Sequence, residues 1–372
     1  MRRLANILWL GLKELRSLAA DPVLLGFVVY AFTFAVYAQA IGISHELHNA
    51  SIAIVDEDRS ALSQRIIQAF RPPFFRTPEV IPLAEVDRRM DAGRDTFVLD
   101  IPPDFQADLL AGRNPAIQVN VDATAVMQAG IGAGYIQRII AEEIATFLGT
   151  APAVPVELQL RAAFNPNLET SWFTGVMAII NNITMLAVLL AGAAVIRERE
   201  HGTLDHLLVM PVAPFEIAMA KVWSNGLVIT AMTGLSLWLV LRGLLGVPVA
   251  GSVPLFLGGV ALYLFYATAV GLLLGTVARS MPQLGLLFIL IVLPMILLSG
   301  GSTPFESMPR PLQVVMLAFP STHFVAFAQA ILYRGAGLGI VWPQFAATGG
   351  IGLLVLAAAL LRFRAAVAEA VA

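Results

Sequence analysis

Two clusters in the first third of the sequence have residue types that hold metal ions. The first reads His45-Glu46-Leu47-His48, and the second is the acidic run at residues 56–60. The histidines of the first cluster are three positions apart, whereas the zinc motif HExxH needs them four apart on one helical face. The second cluster lacks the glycine and the terminal glutamate of an EF-hand loop. We interpret the first as a solvated stalk and the second as a strand end followed by a capped helix.

A charged segment between two long apolar runs, residues 197–221, has a different chemistry. A glycine breaks the helix that precedes it, a threonine can cap a short second helix, and a proline stops that helix. The leucines between them fall at i, i+3 and i+4, on one helical face. The residues of this pattern are Arg197, Glu198, Arg199, Glu200, Gly202, Thr203, Leu204, Leu207, Leu208 and Pro211. The pattern predicts either a docking helix for a soluble partner or a loop whose charges only set the topology.

The composition places this segment in a membrane protein. The chain has 372 residues, of which 58% are hydrophobic and 13% are charged. A soluble domain carries about 25% charged residues, so we expect an integral membrane protein. The formal net charge of −2 argues against nucleic-acid binding. Cysteine is absent, which excludes a disulfide framework, a thiolate metal site and a cysteine nucleophile.

Six apolar runs approach the length of about 20 residues that a bilayer requires. They are residues 22–43, 172–196, 222–241, 254–277, 284–298 and 340–361. The fifth run is short, and Pro294 within it predicts a kink or a break. Residues 38–40 imitate a signal-peptidase site, but the apolar run there is longer than a signal peptide needs, so a retained anchor is favoured over cleavage. We therefore divide the chain into residues 1–43, 44–170 and 171–372.

Arginines and lysines predict the orientation of these spans. Six spans put both termini on one side, and only Arg242, Arg310 and Arg334 lie in short loops on the other side. The positive-inside rule makes the arginine-rich side cytoplasmic. Residues 44–170 are then external, as long domains can be whatever their charge.

Residues 2–20 are predicted to form an amphipathic helix. Its apolar face consists of Leu4, Ile7, Leu8, Leu12, Leu15 and Leu18. Its polar face consists of Arg3, Asn6, Lys13, Arg16 and Ser17. Such a helix lies in the membrane interface with its basic side towards anionic lipid. A plain extension of the first span is the alternative.

Residues 44–170 alternate between predicted strands and helices. We expect strands at residues 51–55, 80–83, 96–101, 116–121 and 156–164. We expect helices at residues 60–70, 84–92, 103–111 and 125–148. The alternation predicts an α/β or α+β layered domain, and the pattern does not specify the order of its strands.

The charged segment resembles the coupling-helix loop of ABC-2 type transporter permeases. Residues 197–200, 202–205, 207–211 and Lys221 carry the likeness, and within the family they resemble the bacterial YhhJ-like subgroup. The resemblance implies a polytopic α-helical protein of the bacterial inner membrane. It would have six transmembrane helices of the type V (ABC-2) exporter class and an inserted external domain.

Residues 300–337 resemble the same family at the opposite membrane face. Two apolar stretches there are too short to span, and they predict a re-entrant hairpin on the external side. The expected gate residues of this hairpin are Pro304, Glu306, Pro309, Pro320 and His323.

The resemblance also implies the partners. A separate cytoplasmic ABC ATPase subunit would carry ATP and Mg²⁺, so this chain would hold no cofactor of its own. A second permease chain, identical or different, would complete the transmembrane core. A periplasmic adaptor on the external domain and contacts with membrane lipid follow from the same likeness, as does the outward movement of drugs or other amphiphiles.

The six runs as drawn contain no ionisable residue that could couple transport to an ion gradient. None of them includes Asp, Glu, Lys, Arg or His, whereas ion-coupled transporters bury such groups along their path. The chain also lacks a GxxxxGK[ST] phosphate loop. We therefore expect a permease subunit that is not itself an enzyme. A mechanotransmitter that relays ATPase motion to the external domain, without moving a substrate, is the alternative.

Uncharged polar residues do occur in the runs. Asn181 and Asn182 are the best candidates for lining a path, because neighbouring helical residues point about 100° apart and can serve two interfaces. The alternative is that they make hydrogen bonds between helices.

Overall fold

The computed structural model describes residues 2–42, 49–122, 126–149, 169–200, 213–301, 303 and 305–371. The chain divides into two units, Met1–Gly42 with Ala162–Ala372 and Ile43–Arg161. The predicted strand at residues 156–164, the cluster at residues 45–48 and residues 201–212 of the charged segment lie outside the described residues.

The smaller unit is built on a four-stranded sheet in the order β2-β1-β3-β4. Its strands are β1 (Ile52–Asp56), β2 (Glu79–Val80), β3 (Phe97–Ile101) and β4 (Gln118–Val121). β1 is parallel to β2 and to β3, whereas β4 is antiparallel to β3. The helices are α4 (Ala61–Ala69), α5 (Val86–Asp91), α6 (Phe105–Leu110) and α7 (Val126–Leu148). All but one of these elements overlap most of the predicted range. The exception is β2, which shares only Val80 with the strand predicted at residues 80–83, because a short 3₁₀ helix begins at Leu83.

Both faces of this sheet are buried, which explains why its central strands are almost continuously apolar. Ile54 packs with Leu62 of α4 on one face, and Val55 packs with Val86 of α5 on the other. The acidic run after β1 has the predicted capping role. Ser60 Oγ accepts a hydrogen bond from the backbone N–H of Ser63 at 3.1 Å, at the start of α4.

The larger unit consists of helices. Its first part contains α1 (Arg2–Ala20), α2 (Pro22–Phe32) and α3 (Phe34–Gly42). The rest contains α8 (Thr170–Glu200), α9 (Pro214–Ser236), α10 (Val253–Val277), α11 (Met281–Leu297), α12 (Arg310–Leu317), α13 (Pro320–Leu332) and α14 (Leu338–Val371). A π-helical segment, Leu237–Leu244, extends α9. Serines or an aspartate cap several of the helices, with a proline in the first turn, as at Asp21 before α2.

Helices α8 and α10 form the centre of the unit, and α14, α9 and α13 pack around α10. The two central backbones approach closely because glycines face the contact. A Cβ atom at Gly271 would lie 2.5 Å from the carbonyl oxygen of Val188, and one at Gly275 would lie 2.9 Å from that of Gly192. Small residues at four-residue spacing allow this approach between membrane helices.

The number of long apolar helices differs in one respect from the prediction of six spans. Five described helices are long and apolar enough to cross a membrane, namely Pro22–Gly42, Thr170–Glu200, Phe215–Leu244, Val253–Val277 and Leu338–Arg364. The predicted fifth span corresponds to α11, a shorter apolar helix of 17 residues. Helices α12 and α13 bend by 88° just before Pro320, where the sequence predicts a break, and could together count as a sixth span.

Candidate functional site

A buried lysine joins three helices at the end of the bundle where the charged segment begins. Lys221 of α9 has only 1% of its side chain exposed. Its Nζ donates to Oε1 of Glu198, on α8, at 2.7 Å and to Oε1 of Glu14, on α1, at 3.1 Å. We call these three residues the Lys221 cluster. A buried charge is tolerated only when it is paired and hydrogen-bonded, and two carboxylates meet that condition here.

Continuous helices bring these residues together. Helix α8 carries its helical backbone through Glu200, and α9 begins at Pro214, seven residues before Lys221. At the start of α9, the Glu216 carboxylate accepts from the backbone N–H of Ala213 at 3.0 Å. The same carboxylate accepts from Asn6 of α1 at 3.4 Å. Polar contacts therefore attach α1 to the first two turns of α9.

A close apolar contact reinforces this attachment. Trp223 lies against Gly11 of α1, where a Cβ atom would fall 2.2 Å from the indole ring. The indole Nε1–H also donates to the carbonyl oxygen of Ile7 at 3.0 Å. Only a residue without a side chain allows the tryptophan ring to approach the α1 backbone this closely.

Helix α1 has the predicted bounds, and its contacts do not contradict its predicted apolar and polar faces. Asn6, of the polar face, turns towards α9 and contacts Glu216. Leu4 and Leu8 of the apolar face are exposed, by 69% and 55%, whereas Ile7 is half-buried. An interfacial helix presents such exposed leucines to lipid, and α9 presents carboxylate and lysine groups to the packed side of α1.

The six apolar runs contain no ionisable group, but the helices that carry them extend further. The third run begins at residue 222, whereas its helix, long and apolar enough to cross a membrane, is Phe215–Leu244 and includes Glu216, Lys221 and Arg242. The helix begins before its longest apolar stretch, so its buried charges are missed when the apolar run alone defines the span. These groups lie near the helix ends.

The four charged residues that end α8 point in different directions. Arg197 lies 3.7 Å from the Asp21 carboxylate, and Glu198 faces the Lys221 cluster. Arg199 donates to the backbone carbonyl of Ala278 at 2.8 Å, whereas Glu200 is exposed. A cavity of about 440 Å³ lies between α1 and α8. It is lined by Lys13, Glu14, Ser17, Asp21, Arg197 and Glu198.

Six residues of the predicted docking helix cannot be compared with this geometry. Gly202, Thr203, Leu204, Leu207, Leu208 and Pro211 lie outside the described residues. Glu14 and Glu216 were not predicted from the sequence as members of the site. One signal pointed to Glu14, because it is the one acidic residue in a helix that is otherwise apolar, basic or uncharged.

The two asparagines of α8 have different surroundings. Asn182 is buried, and its Nδ2 donates to the carbonyl oxygen of Ala31 at 2.6 Å. Asn181 is half-buried. One turn from the pair, the Thr184 hydroxyl is 2.9 Å from the hydroxyl of Tyr263. Asn182 therefore makes the interhelical hydrogen bond that was the alternative to path lining.

The residues of the predicted external hairpin lie around the bend between α12 and α13. Pro309 precedes α12, and Pro320 begins α13. The ring of His323 makes a hydrogen bond to the carbonyl oxygen of Leu317 at 2.9 Å and so spans the bend. Glu306 belongs to the short helical turn Phe305–Ser307, and Pro304 lies outside the described residues. Among the described residues, no group of three or more His, Asp or Glu could hold a metal ion.

Residues 22–361 match the family described as "ABC-2 family transporter protein". The chain belongs to the ABC-2 transporter family. It is 58% identical over 369 residues, 98% of each chain, to "Inner membrane transport permease YhhJ" of Escherichia coli (strain K12). It is 30% identical to "Probable multidrug ABC transporter permease YbhR" of the same organism, over 89% of this chain and 90% of that one. "Probable multidrug ABC transporter permease YbhS" is 25% identical over 88% of each chain.

These likenesses agree with the bundle of apolar helices. The chain is an ABC-2 permease of the inner membrane that crosses it several times. Membership of the family implies an ATPase partner and the pairing of permease chains. The resemblance noted in the charged segment and around residues 300–337 is thereby confirmed at the level of the family.

Proposed function

We propose that this chain is the permease subunit of an ATP-driven exporter. A separate ATPase subunit closes on ATP, and its motion moves amphiphilic or drug-like substrates outward through a pair of permease chains. ATP and Mg²⁺ belong to that partner. Both termini and the Lys221 cluster face the cytoplasm in this proposal, and residues 44–170 face the periplasm, where an adaptor can bind.

The observation that carries the proposal is the Lys221 cluster. It joins the ends of α8 and α9 that flank residues 201–212, the segment proposed to dock on the ATPase. It also ties both ends to α1. A force applied to the docking segment would therefore reach three helices together, because separating them exposes a buried charge to an apolar surrounding.

The names of the relatives favour translocation over the mechanotransmitter alternative. Two of them are called probable multidrug permeases, and a third is called a transport permease. Drug-like and amphiphilic cargo for this chain is inferred from those names.

The proposal is tested in vesicles that contain this chain with its ATPase partner. We expect ATP-dependent movement of a labelled amphiphile, and an ATP hydrolysis rate that depends on this chain. Substrate movement driven by a proton gradient without ATP would refute the proposal. Stimulated ATP hydrolysis without movement of any tested amphiphile would favour the mechanotransmitter.

A double substitution tests the docking segment itself. Each leucine buried in an apolar groove contributes about 1.5–3 kcal/mol, and every 1.4 kcal/mol corresponds to about tenfold in affinity. Replacing Leu207→Asp and Leu208→Asp together should therefore weaken ATPase association by several orders of magnitude in a pull-down. Glu200→Gln is the matched control, because an exposed charge contributes about 0–1 kcal/mol and should leave assembly intact. Undiminished association of the double variant would show that the segment does not dock there.

A further inference from the structure

Two cavities meet at the end of the bundle opposite the Lys221 cluster. One, of about 450 Å³, has walls that are partly apolar and partly polar, and its polar residues include Ser299, Thr322, His323 and Gln344; we call it the polar cavity. The other, of about 270 Å³, is walled mainly by Trp172, Phe173, Val247, Pro248 and Tyr333. Gln329 and Arg334 line both cavities. Because Phe173 and Glu198 are 25 residues apart on α8, the cavities lie about 37 Å from the cluster.

The aromatic cavity is held open by contacts between its walls. The rings of Phe173 and Tyr333 stack with their centroids 6.2 Å apart. The Tyr333 hydroxyl lies 3.2 Å from the carbonyl oxygen of Phe173, which links the end of α13 to the start of α8. The backbone N–H of Ala250 donates to the carbonyl oxygen of Leu332 at 3.0 Å and fixes the loop beside Pro248. These walls form an apolar slot beside the charged side chain of Arg334, and we call it the aromatic slot.

Two residues that line the polar cavity carry buried polar atoms without a hydrogen-bond partner. Thr322 is 7% exposed, and its Oγ1 has no hydrogen-bond partner among the described residues. The same holds for Oε1 of Gln344. Buried polar atoms normally have a hydrogen-bond partner, and a missing partner requires an explanation. A ligand with hydrogen-bonding atoms would supply it once these side chains turn towards the cavity.

The charge of the paired cavities selects the sign of that ligand. Within the described part of the chain, Arg334 makes no ion pair, and neither cavity is lined by Asp or Glu. An arginine guanidinium binds phosphate and carboxylate groups with two parallel hydrogen bonds. It would repel a cationic amphiphile.

We propose that these cavities form a binding site for an anionic amphiphile. Arg334 binds the headgroup, the polar cavity surrounds it, and the aromatic slot holds the adjoining apolar part. Each volume is close to the range of about 300–1,000 Å³ that is typical of small-molecule sites. The amphiphile is either a membrane phospholipid with an anionic headgroup or a cargo molecule of the same chemistry. Binding at this site stands whether or not the chain exports anything, and only the cargo source rests on the proposed function.

Native mass spectrometry of the full chain in detergent tests the site. Phosphatidylglycerol and phosphatidylcholine with the same acyl chains are the two probes. We expect the wild-type chain to prefer phosphatidylglycerol and Arg334→Gln to lose that preference by at least about tenfold, as one charge-assisted hydrogen-bonded contact implies. Arg310→Gln is the matched control, because Arg310 is exposed at the start of α12 and lines neither cavity. Equal binding of the two lipids, or equal loss in both arginine variants, would overturn the proposal.

A second variant separates binding from folding. Thr322→Val removes a hydroxyl that has no partner, so the thermal stability of the chain should not fall, while binding of phosphatidylglycerol should weaken. If Thr322→Val left the binding of phosphatidylglycerol unchanged, the polar cavity would not be part of the binding site. Inorganic phosphate is the headgroup-only probe, and if it displaced the lipid at similar concentration, the aromatic slot would have no role.

The source of the amphiphile is distinguished by dodecyl phosphate. ATP-dependent export of labelled dodecyl phosphate from vesicles that contain the ATPase, lost in Arg334→Gln, would identify cargo. Binding of dodecyl phosphate without its export would identify a lipid site, and the result would then count against the cargo class and leave the site intact.

Discussion

Replacing Lys221→Met should strongly destabilise the helical unit. At an effective dielectric constant of about 20, contacts of 2.7 and 3.1 Å each give about 5–6 kcal/mol of Coulomb attraction. Desolvation of the ions, at several kcal/mol each, offsets most of that gain. Removing the lysine alone forfeits the attraction and leaves Glu14 and Glu198 as partly buried like charges, with 22% and 11% of their side chains exposed. We therefore expect a loss of about 3–5 kcal/mol.

The neutral triple variant is the decisive comparison. Lys221→Met with Glu14→Gln and Glu198→Gln removes the charges as well as the attraction, so its stability should return to within about 1–2 kcal/mol of the wild type. The matched control is Lys13→Met, because Lys13 is exposed on the same α1 helix and its loss should change stability by less than about 0.5 kcal/mol.

Thermal unfolding of the purified chain in detergent measures these differences. A loss of 3–5 kcal/mol corresponds to about 6–20 °C in Tm for a unit of this size. A wild-type Tm for Lys221→Met, or a triple variant no more stable than the single one, would refute the reasoning. With the ATPase present, the triple variant should hydrolyse ATP but move less substrate per ATP, because the three helices are no longer tied together.

Three further changes test other parts of the structure. Gly271→Ala should destabilise the protein by about 1–3 kcal/mol, because two backbones must separate, and should lower Tm accordingly. Gly258→Ala on the same helix, where a Cβ meets open space, should leave Tm unchanged. Asn182→Leu should lose about 0.6–2 kcal/mol and leave substrate preference unchanged, measured by Tm and transport. Arg89 holds the pKa of Glu79 below its usual range. The contact between the two side chains therefore stabilises the smaller unit fully above about pH 4.3, the pKa of an unperturbed glutamate. This stabilisation is lost as the pH falls through the lowered pKa of Glu79 in the folded protein. Limited proteolysis of the smaller unit between pH 6 and pH 3 should show that loss, and Arg89→Gln should remove this pH dependence.

Local chemistry explains the parts of the fold that were predicted well. The strands of the smaller unit alternate with helices because each buries its own apolar run, and Ser60 caps α4 through a contact only three residues long. The membrane helices start at serine, aspartate and proline signals for the same reason. Pro320 marks the bend before α13 because proline suits only the first turn of a helix.

The Lys221 cluster could not be predicted in the same way. Glu14 and Lys221 are 207 positions apart, and their contact exists only because α1 lies against α9. In the sequence Glu198 and Glu200 are equivalent, since an apolar run followed by charges does not indicate which way each side chain turns. In the structure Glu198 faces Lys221 and Glu200 is exposed.

The sequence by itself determined that this is a multi-spanning membrane protein with an inserted sheet-containing unit, because hydropathy, caps and alternation are properties of neighbouring residues. The ABC-2 family followed from the likeness of residues 197–221 and 300–337 to that family. Tertiary structure decided the strand order, the face of α1 that packs, the partner of Asn182 and the union of three helices at Lys221. Each of these depends on groups distant in the chain whose charge or shape is satisfied only when the helices meet. The same holds for the paired cavities around Arg334, whose walls come from five separate segments of the chain.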